Sequence, residues 1–247
     1  MKHYSSSLFA FVALVFLWSA RQAVAQKSDT FTAPNGKQVV ITHIKHASVQ
    51  IEYDGKVFYV DPVIKLKPET DFYNSPKADF LLVTHEHSDH FDPVALTRLS
   101  KSGTAFFMNS RCYRDMQKGV VMANGDSLQI GADIKLWAVP AYNTTPDRMQ
   151  YHPKNRDNGY ILELGGLRIY LAGDTEDIPE MAAVKNIDIA FLPCNQPYTM
   201  TVAQLVRAAK VIGPKVLFPY HFGETSVNQI VMQLAGSGID VRIRSYK

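Results

Sequence analysis

Three histidines and an aspartate fall within six positions of the stretch LLVTHEHSDHFDP, residues 81–93: His85, His87, Asp89 and His90. They sit at the mouth of an apolar run, where ionisable groups are costly unless they are paired or bound to something. Imidazole nitrogen combined with carboxylate oxygen suits zinc, iron or manganese, whereas an all-oxygen set suits calcium or magnesium. Two more residues of this kind stand in matching places: Asp174 follows the apolar run LRIYLA, and His221 closes KVLFPY. Three separate runs thus deliver ligand-type side chains at their C-terminal ends, where loops carry function on a rigid scaffold. The chemistry they point to is metal-assisted hydrolysis, since a bound cation lowers the pKa of water from about 15.7 to about 7. A closed structural zinc is disfavoured, because such sites use four Cys or His ligands and leave no spare carboxylates. No Gly-x-Ser-x-Gly elbow, Walker loop, dinucleotide fingerprint or zinc-finger spacing competes with this reading.

The elements that must position these groups read as two similar halves in one domain. QVVITHI, SVQIEY and KVFYVD are strands, the last two joined by the hairpin signal Asp54-Gly55. ADFLLVTH is a short continuous apolar run, as expected of a strand buried on both faces. Asp92-Pro93 starts a helix that Gly103 stops. TAFFMN is a further strand, SRCYRDMQK a helix, and DSLQIG and IKLWAVPAYN strands. The second half repeats the theme. GYILEL and LRIYLAGD form a hairpin over Gly165-Gly166, followed by a helix near PEMAAVK. Strand IDIAFLPC, helix TVAQLVRAAKVI, strand KVLFPYHF, helix SVNQIVMQLAG and strand IDVRIRS complete it. Two sheets packed face to face with helices outside satisfy this pattern.

The ends of the chain and its bulk numbers bound the rest. Lys2 and His3 precede the apolar stretch Leu8 to Trp18, and Ala23 and Ala25 offer the small-x-small pattern of a signal-peptidase site. Eleven apolar residues are too few for a spanning helix. Residues 1–25 are therefore read as a signal peptide cleaved near Ala25, giving an exported protein, periplasmic or secreted, with no membrane span in the mature chain. Residues 26–37 are polar and read as a loose lead-in, and 38–247 as the hydrolase domain. Loss of Lys2 and Arg21 lowers the formal charge from +3 to +1, so nothing in the balance calls for nucleic acid. A small-molecule substrate is expected instead. Export permits a disulfide between the two cysteines, Cys112 and Cys194, but their distance is not readable from sequence.

The pattern His85-x-His87-x-Asp89-His90, the later AGDT around Asp174 and the terminal His221 resemble the metallo-β-lactamase superfamily of hydrolases. The resemblance runs from KHASVQIEYDGKVFYVDP to PYHFG. Within the superfamily, VPAYNTTP, NGYILEL, LAGDT, PYTMT and PYHFG are most similar to the branch of ascorbate-6-phosphate lactonase and N-acylphosphatidylethanolamine phospholipase D. It implies an α/β fold, a four-layer αββα sandwich, with metals in a cleft at one edge of the sheets. It further implies that His85 and His87 bind a first metal, that Asp89, His90 and His221 bind a second, and that Asp174 bridges both. One or two zinc ions are the expected cofactor, with manganese or iron(II) as alternatives. Metal-bound hydroxide is expected to cleave an ester-type bond, in a lactone or a phosphodiester, with Asp89 as the catalytic carboxylate assisting proton transfer. The reason for the Asp174 bridge is charge: two divalent ions held close together repel, and a shared carboxylate with a shared hydroxide offsets this.

Asn143 stands where the family usually supplies a third first-site histidine. Three outcomes follow: a weakly held first metal, His152 as substitute, or a single metal at Asp89, His90, Asp174 and His221. The first of these is favoured. Asn143 also motivates a rival of another class, a non-catalytic metal-binding or sensor protein with a degenerate site. Among supporting residues, Asp61 is placed to accept a hydrogen bond from a ligand histidine, and His46 to face the cleft, with structural roles open for both. His43 reads as structural. Asn195, Tyr198 and Thr199 are pocket candidates, and Lys154 and Arg156 either grip an anionic substrate or sit on a solvated loop.

Overall fold

The computed structural model describes residues 28–246 of the chain. The signal-peptide reading of residues 1–25 lies outside the described residues. Two seven-stranded sheets carry the fold. The first runs in order β1 (Ser28–Thr32), β2 (Gln38–Lys45), β3 (Ser48–Tyr53), β4 (Lys56–Val60), β5 (Phe80–Leu82), β6 (Ala105–Met108) and β7 (Val120–Val121). The second runs from β8 (Ser127–Gly131) through β9 (Ile134–Ala141), β10 (Asp157–Leu164), β11 (Leu167–Leu171), β12 (Ile189–Pro193) and β13 (Val216–Tyr220) to β14 (Asp240–Val241).

Each sheet begins as an antiparallel meander of four strands and continues with parallel ones. Parallel neighbours need crossovers, which usually place helices on the outer face. In the first sheet these are α1 (Pro93–Leu99) and α2 (Ser110–Met116). In the second they are a 3-10 helix (Pro179–Ala183), α3 (Val202–Ile212) and α4 (Asn228–Gln233).

Alternation along the strands sorts side chains into three layers of core. Ile169, Leu171, Phe191 and Phe218 point between the sheets, against Ile41, Ile51 and Val60. Their neighbours Tyr170, Ala190, Leu192 and Leu217 point outward, under Leu205 and Ala209 of α3. Tyr59, Leu81 and Phe106 do the same beneath Ala95, Leu96 and Leu99 of α1. The result is the expected αββα sandwich in a single domain. Sequence signals close the helices: Asp92 caps α1 by accepting from Val94 N and Ala95 N, and Thr201 forms a capping box with Gln204 on α3.

Two expectations are corrected and the open question of the cysteines is answered. The lead-in is not loose, because residues 28–32 form β1, an edge strand paired with β2. Its anchor is Asp29, whose carboxylate accepts from His43 Nε2 at 2.9 Å and from both Arg242 and Arg244. The two cysteines are not bridged. Both are free and buried, Cys112 on the inner face of α2 outside the first sheet and Cys194 outside the second. ADFLLVTH is strand only over its centre, because residues 83–90 leave the ladder to build the site.

Candidate metal centre

The six expected ligands, with Asp61 and His46, all follow strands at one edge of the sandwich. His46 follows β2, Asp61 follows β4, His85 to His90 follow β5, Asp174 follows β11 and His221 follows β13. The Asp174 carboxylate stands in the middle. Its Oδ1 is 3.3 Å from His90 Nε2, and its Oδ2 lies 3.3 Å from His221 Nε2, 3.4 Å from His152 Nε2 and 4.0 Å from His85 Nε2. Ligand atoms of His85, His87 and His152 cluster on one side, and those of His46, Asp89, His90 and His221 on the other. All six expected ligands are thus brought together.

The expected weak point is filled. Asn143 turns its amide away, Nδ2 donating to the carbonyls of Tyr198 and Arg148 at 2.7 and 3.2 Å. Its backbone N–H donates to the His152 carbonyl at 2.8 Å, closing a loop that returns His152 to the mouth of the site. The His152 ring then lies 4.9 Å from the rings of both His85 and His87. Asn143 therefore positions His152, the substitute named among the three outcomes, beside His85 and His87. Glu176 fixes the start of this loop, its carboxylate accepting from the N–H and hydroxyl groups of Thr144 and Thr145.

Hydrogen bonding fixes which ring nitrogen faces the centre. A carboxylate only accepts, so the single Thr84 hydroxyl proton goes to Asp61 Oδ2 at 2.6 Å. Toward His85 Nδ1, 2.9 Å away, Thr84 must then accept, which leaves His85 Nε2 as an acceptor, with His87 Nδ1 3.1 Å from it. His90 Nδ1 donates to the same Asp61 oxygen at 2.8 Å, and His152 Nδ1 donates to Asp157 Oδ2 at 3.2 Å. Three imidazoles therefore present Nε2 as acceptor toward Asp174. Asp61 was expected to hold a ligand histidine. It holds one directly and a second through Thr84, a residue whose role carried no signal in the sequence.

Electrostatics agree for His85 and the two carboxylates. At His90, burial is outweighed by Asp174 and Asp61, which raise the imidazole well above its ordinary range, so a cation has to displace its Nε2 proton. Burial pushes the His85 imidazole well below its ordinary range and keeps it neutral. Burial alone would raise Asp174, but the surrounding His221 and His90 outweigh it and hold the carboxyl well below its usual value. Asp89 is likewise lowered against its burial, by the neighbouring His221, whose Nε2 is 3.4 Å away, and by a hydrogen bond from His46 at 3.0 Å. Neutral imidazoles and ionised carboxylates are the forms that bind a divalent cation.

The orphaned atoms test the fit of such a cation. Buried polar atoms are normally hydrogen-bonded. Yet His90 Nε2, both His221 ring nitrogens and Asp174 Oδ1 are buried without a hydrogen-bond partner. His90 Nε2, His221 Nε2 and Asp174 Oδ1 meet at the centre, where their unmet demand matches a metal ion; His221 Nδ1, Asn143 Oδ1, Asn124 Oδ1 and Arg168 Nε are also without a partner among the described residues. Backbone strain is concentrated here too, since His46, Asp61 and His221 all have positive φ, at 54°, 45° and 45°. Gly173 at φ 64° brings its backbone so close to Asn158 that a Cβ would lie 2.8 Å from that carbonyl oxygen.

The remaining candidates are placed as follows. Tyr198 is half exposed and packs edge-on against Tyr151, 5.0 Å between ring centres. Thr199 is buried, its hydroxyl accepting from Asn195 N, so it shapes the turn rather than the cleft. Arg156 is committed to Asp157 and Lys154 to Glu180. His43 is fixed between Asp29 and the Tyr246 hydroxyl in the structural place expected of it. No helix among the described residues is long and apolar enough to cross a membrane.

The pattern of the beta-lactamase superfamily domain matches residues 40–221. A metal-dependent hydrolase from Parabacteroides distasonis of known structure is 51% identical, with a TM-score of 0.86 over 89% of this chain and 99% of that one. A metallo hydrolase from Ignicoccus hospitalis gives 0.71 at 25% identity, over 84% and 95% of the two chains. A metal-dependent hydrolase from Thermus thermophilus is 31% identical over 194 residues, 74% of this chain and 84% of its own.

Proposed function

This chain belongs to the beta-lactamase superfamily and is a metal-dependent hydrolase; from that premise we propose that it cleaves an ester-type bond, in a lactone or a phosphodiester, at a centre for two divalent cations. The observation that carries the proposal is the position of Asp174 between two groups of imidazoles. His85, His87 and His152 form the first ligand set, Asp89, His90 and His221 the second, and Asp174 is shared. A divalent cation there supplies Lewis acidity and lowers the pKa of coordinated water to about 7.

The chain's own residues do the rest. Asp61 and Asp157 lock imidazole tautomers, so no ring has to reorient during turnover. Asp89 is the most exposed carboxylate of the cluster, at 34% of its side chain, and so is the one open to substrate. His46 donates to its Oδ2, which aims the carboxylate and leaves Oδ1 to take a proton from the attacking water. Zinc is the cation we favour for this mixed nitrogen and oxygen set. Export of the mature chain, with cleavage near Ala25, belongs to the same proposal and rests on the apolar run Leu8–Trp18.

The rival reading, a non-catalytic sensor, drew on Asn143 as a missing ligand. With His152 beside His85 and His87, that feature no longer favours it. The test is a panel of lactones, phosphodiesters, thioesters and β-lactams offered to the metal-loaded protein. Turnover of a lactone or phosphodiester is expected, falling by about 10²- to 10⁴-fold in Asp89→Ala. Turnover confined to thioesters or β-lactams overturns the ester reading.

A further inference from the structure

A cavity of about 390 Å³ opens beside the metal centre, with His46 as the wall between them. The His46 ring stacks on His221, 3.7 Å between centroids, and donates to Asp89, so one imidazole faces both spaces. Leu66, Pro68, Phe222 and Tyr246 give the cavity an apolar lining. Lys45 lies in that lining, at the end of β2, and is only 5% exposed. It closes β2 just past a register shift between His43 and Lys45, and it is buried there as Val39, Ile41 and His43 are.

Lys45 differs from every other lysine or arginine considered near the site. Lys154 pairs with Glu180, Arg156 with Asp157, and Lys67, at the cavity rim, with Glu69. Lys45 has no carboxylate oxygen within 4.0 Å among the described residues, and its ammonium makes one hydrogen bond, to the Leu66 carbonyl at 2.9 Å. Buried charges are ordinarily paired, because an unpaired one costs several kcal/mol. An ammonium has three donors, so two remain for a ligand. The other unpaired charge of the lining, Glu224, is exposed at the mouth, where water screens it.

We propose that Lys45 binds the carboxylate of the substrate, which is an amphipathic monoanion whose apolar body fills this cavity and whose scissile bond reaches the metal centre past His46. One positive charge with two free donors matches a carboxylate. A phosphate dianion would call for more charge, or for the fork of an arginine. The hydrolytic reading enters only in where the scissile bond lies, so the charge recognition can be tested without turnover.

The probes are 4-phenylbutyrate and the uncharged 4-phenylbutan-1-ol, titrated by ligand-observed NMR into the metal-loaded protein and again after chelation. The acid is expected to bind at least about 10-fold more tightly than the alcohol in both forms, since a charge-assisted contact of about 1.4 kcal/mol is worth that factor. Lys45→Met should abolish the preference, leave the alcohol's affinity unchanged, and melt no lower than the wild type. Lys45→Arg should keep most of the preference. Equal binding of acid and alcohol by the wild type, or an acid preference that survives Lys45→Met, overturns the proposal. So does a Lys45→Met chain that no longer folds, which would assign the lysine to the architecture. Failure to hydrolyse any ester bears on the preceding proposal alone.

Discussion

Asp61 Oδ2 lies 2.8 Å from His90 Nδ1, and through the Thr84 hydroxyl the same oxygen also sets the tautomer of His85. One buried carboxylate thus orients a histidine in each of the two ligand sets. It can do so because β4 and β5 are parallel neighbours. The residue after β4 and those just after β5 therefore emerge side by side, with Thr84 N donating to Asp61 Oδ1 at 2.8 Å.

Asp61→Asn keeps the shape and removes the charge. It is expected to weaken cation affinity by about 10- to 100-fold, the usual cost of losing such a partner. Competition against a chromogenic chelator measures it. Affinity equal to wild type contradicts the assigned role.

His152 and Asn143 give a paired prediction. His152→Ala should lose about half of the bound cation, because the first set falls to two imidazoles and a shared carboxylate. Asn143→Asp, which leaves the backbone bond to His152 in place, should retain most of it. Elemental analysis of both purified variants decides. A loss in Asn143→Asp with none in His152→Ala reverses the assignment.

Part of this was legible in the sequence and part was not. His85, His87, Asp89 and His90 are contiguous, and Asp174 and His221 follow apolar runs, so local pattern exposes them. The strand and helix runs were legible, but the four layers rested on the family resemblance, since β12 and β13 are buried throughout and carry no alternation. His152 was only one of three options because a loop separates it from β9, and what places it is a backbone bond from Asn143 that no spacing encodes. Asp157, which holds its ring, is the first residue of β10 and reads as strand. β1 escaped because SDTFT is short and largely polar. Its reason to pair is Asp29, whose cationic partners lie more than 200 residues away, at Arg242 and Arg244.

That Asp29 cluster predicts a pH dependence. Burial pushes His43 down to about 4, against the pull of Asp29, so the ring is neutral in the folded state at pH 7. An unfolded histidine titrates near 6.5. As pH falls from about 6.5 to about 4, the unfolded chain takes up a proton that folded His43 refuses, and stability drops. The loss is on the order of 3 kcal/mol across that window and complete below it. Asp29, held below its ordinary value against its burial by Arg244 and His43, adds a further loss at lower pH. Urea unfolding of wild type and His43→Gln at several pH values isolates the effect, because the other histidines are common to both. Parallel curves between pH 6.5 and 4 contradict it.

Gly173→Ala is expected to be severe. The new methyl group would lie 2.8 Å from the Asn158 carbonyl oxygen, at a φ of 64° that side chains rarely adopt. A cost of about 1–3 kcal/mol is expected from the strained backbone alone. Cation affinity should fall with it, since Asp174 is the next residue. Thermal melting and metal titration check both. A variant as stable and as tightly loaded as the wild type contradicts the close approach.

The most direct test is anomalous diffraction from crystals of the zinc-loaded chain. Two peaks are predicted, one among His85, His87 and His152 and one among Asp89, His90 and His221, both in contact with the Asp174 carboxylate. A map with no peak beside Asp174, or with zinc only at sites away from it, contradicts the account.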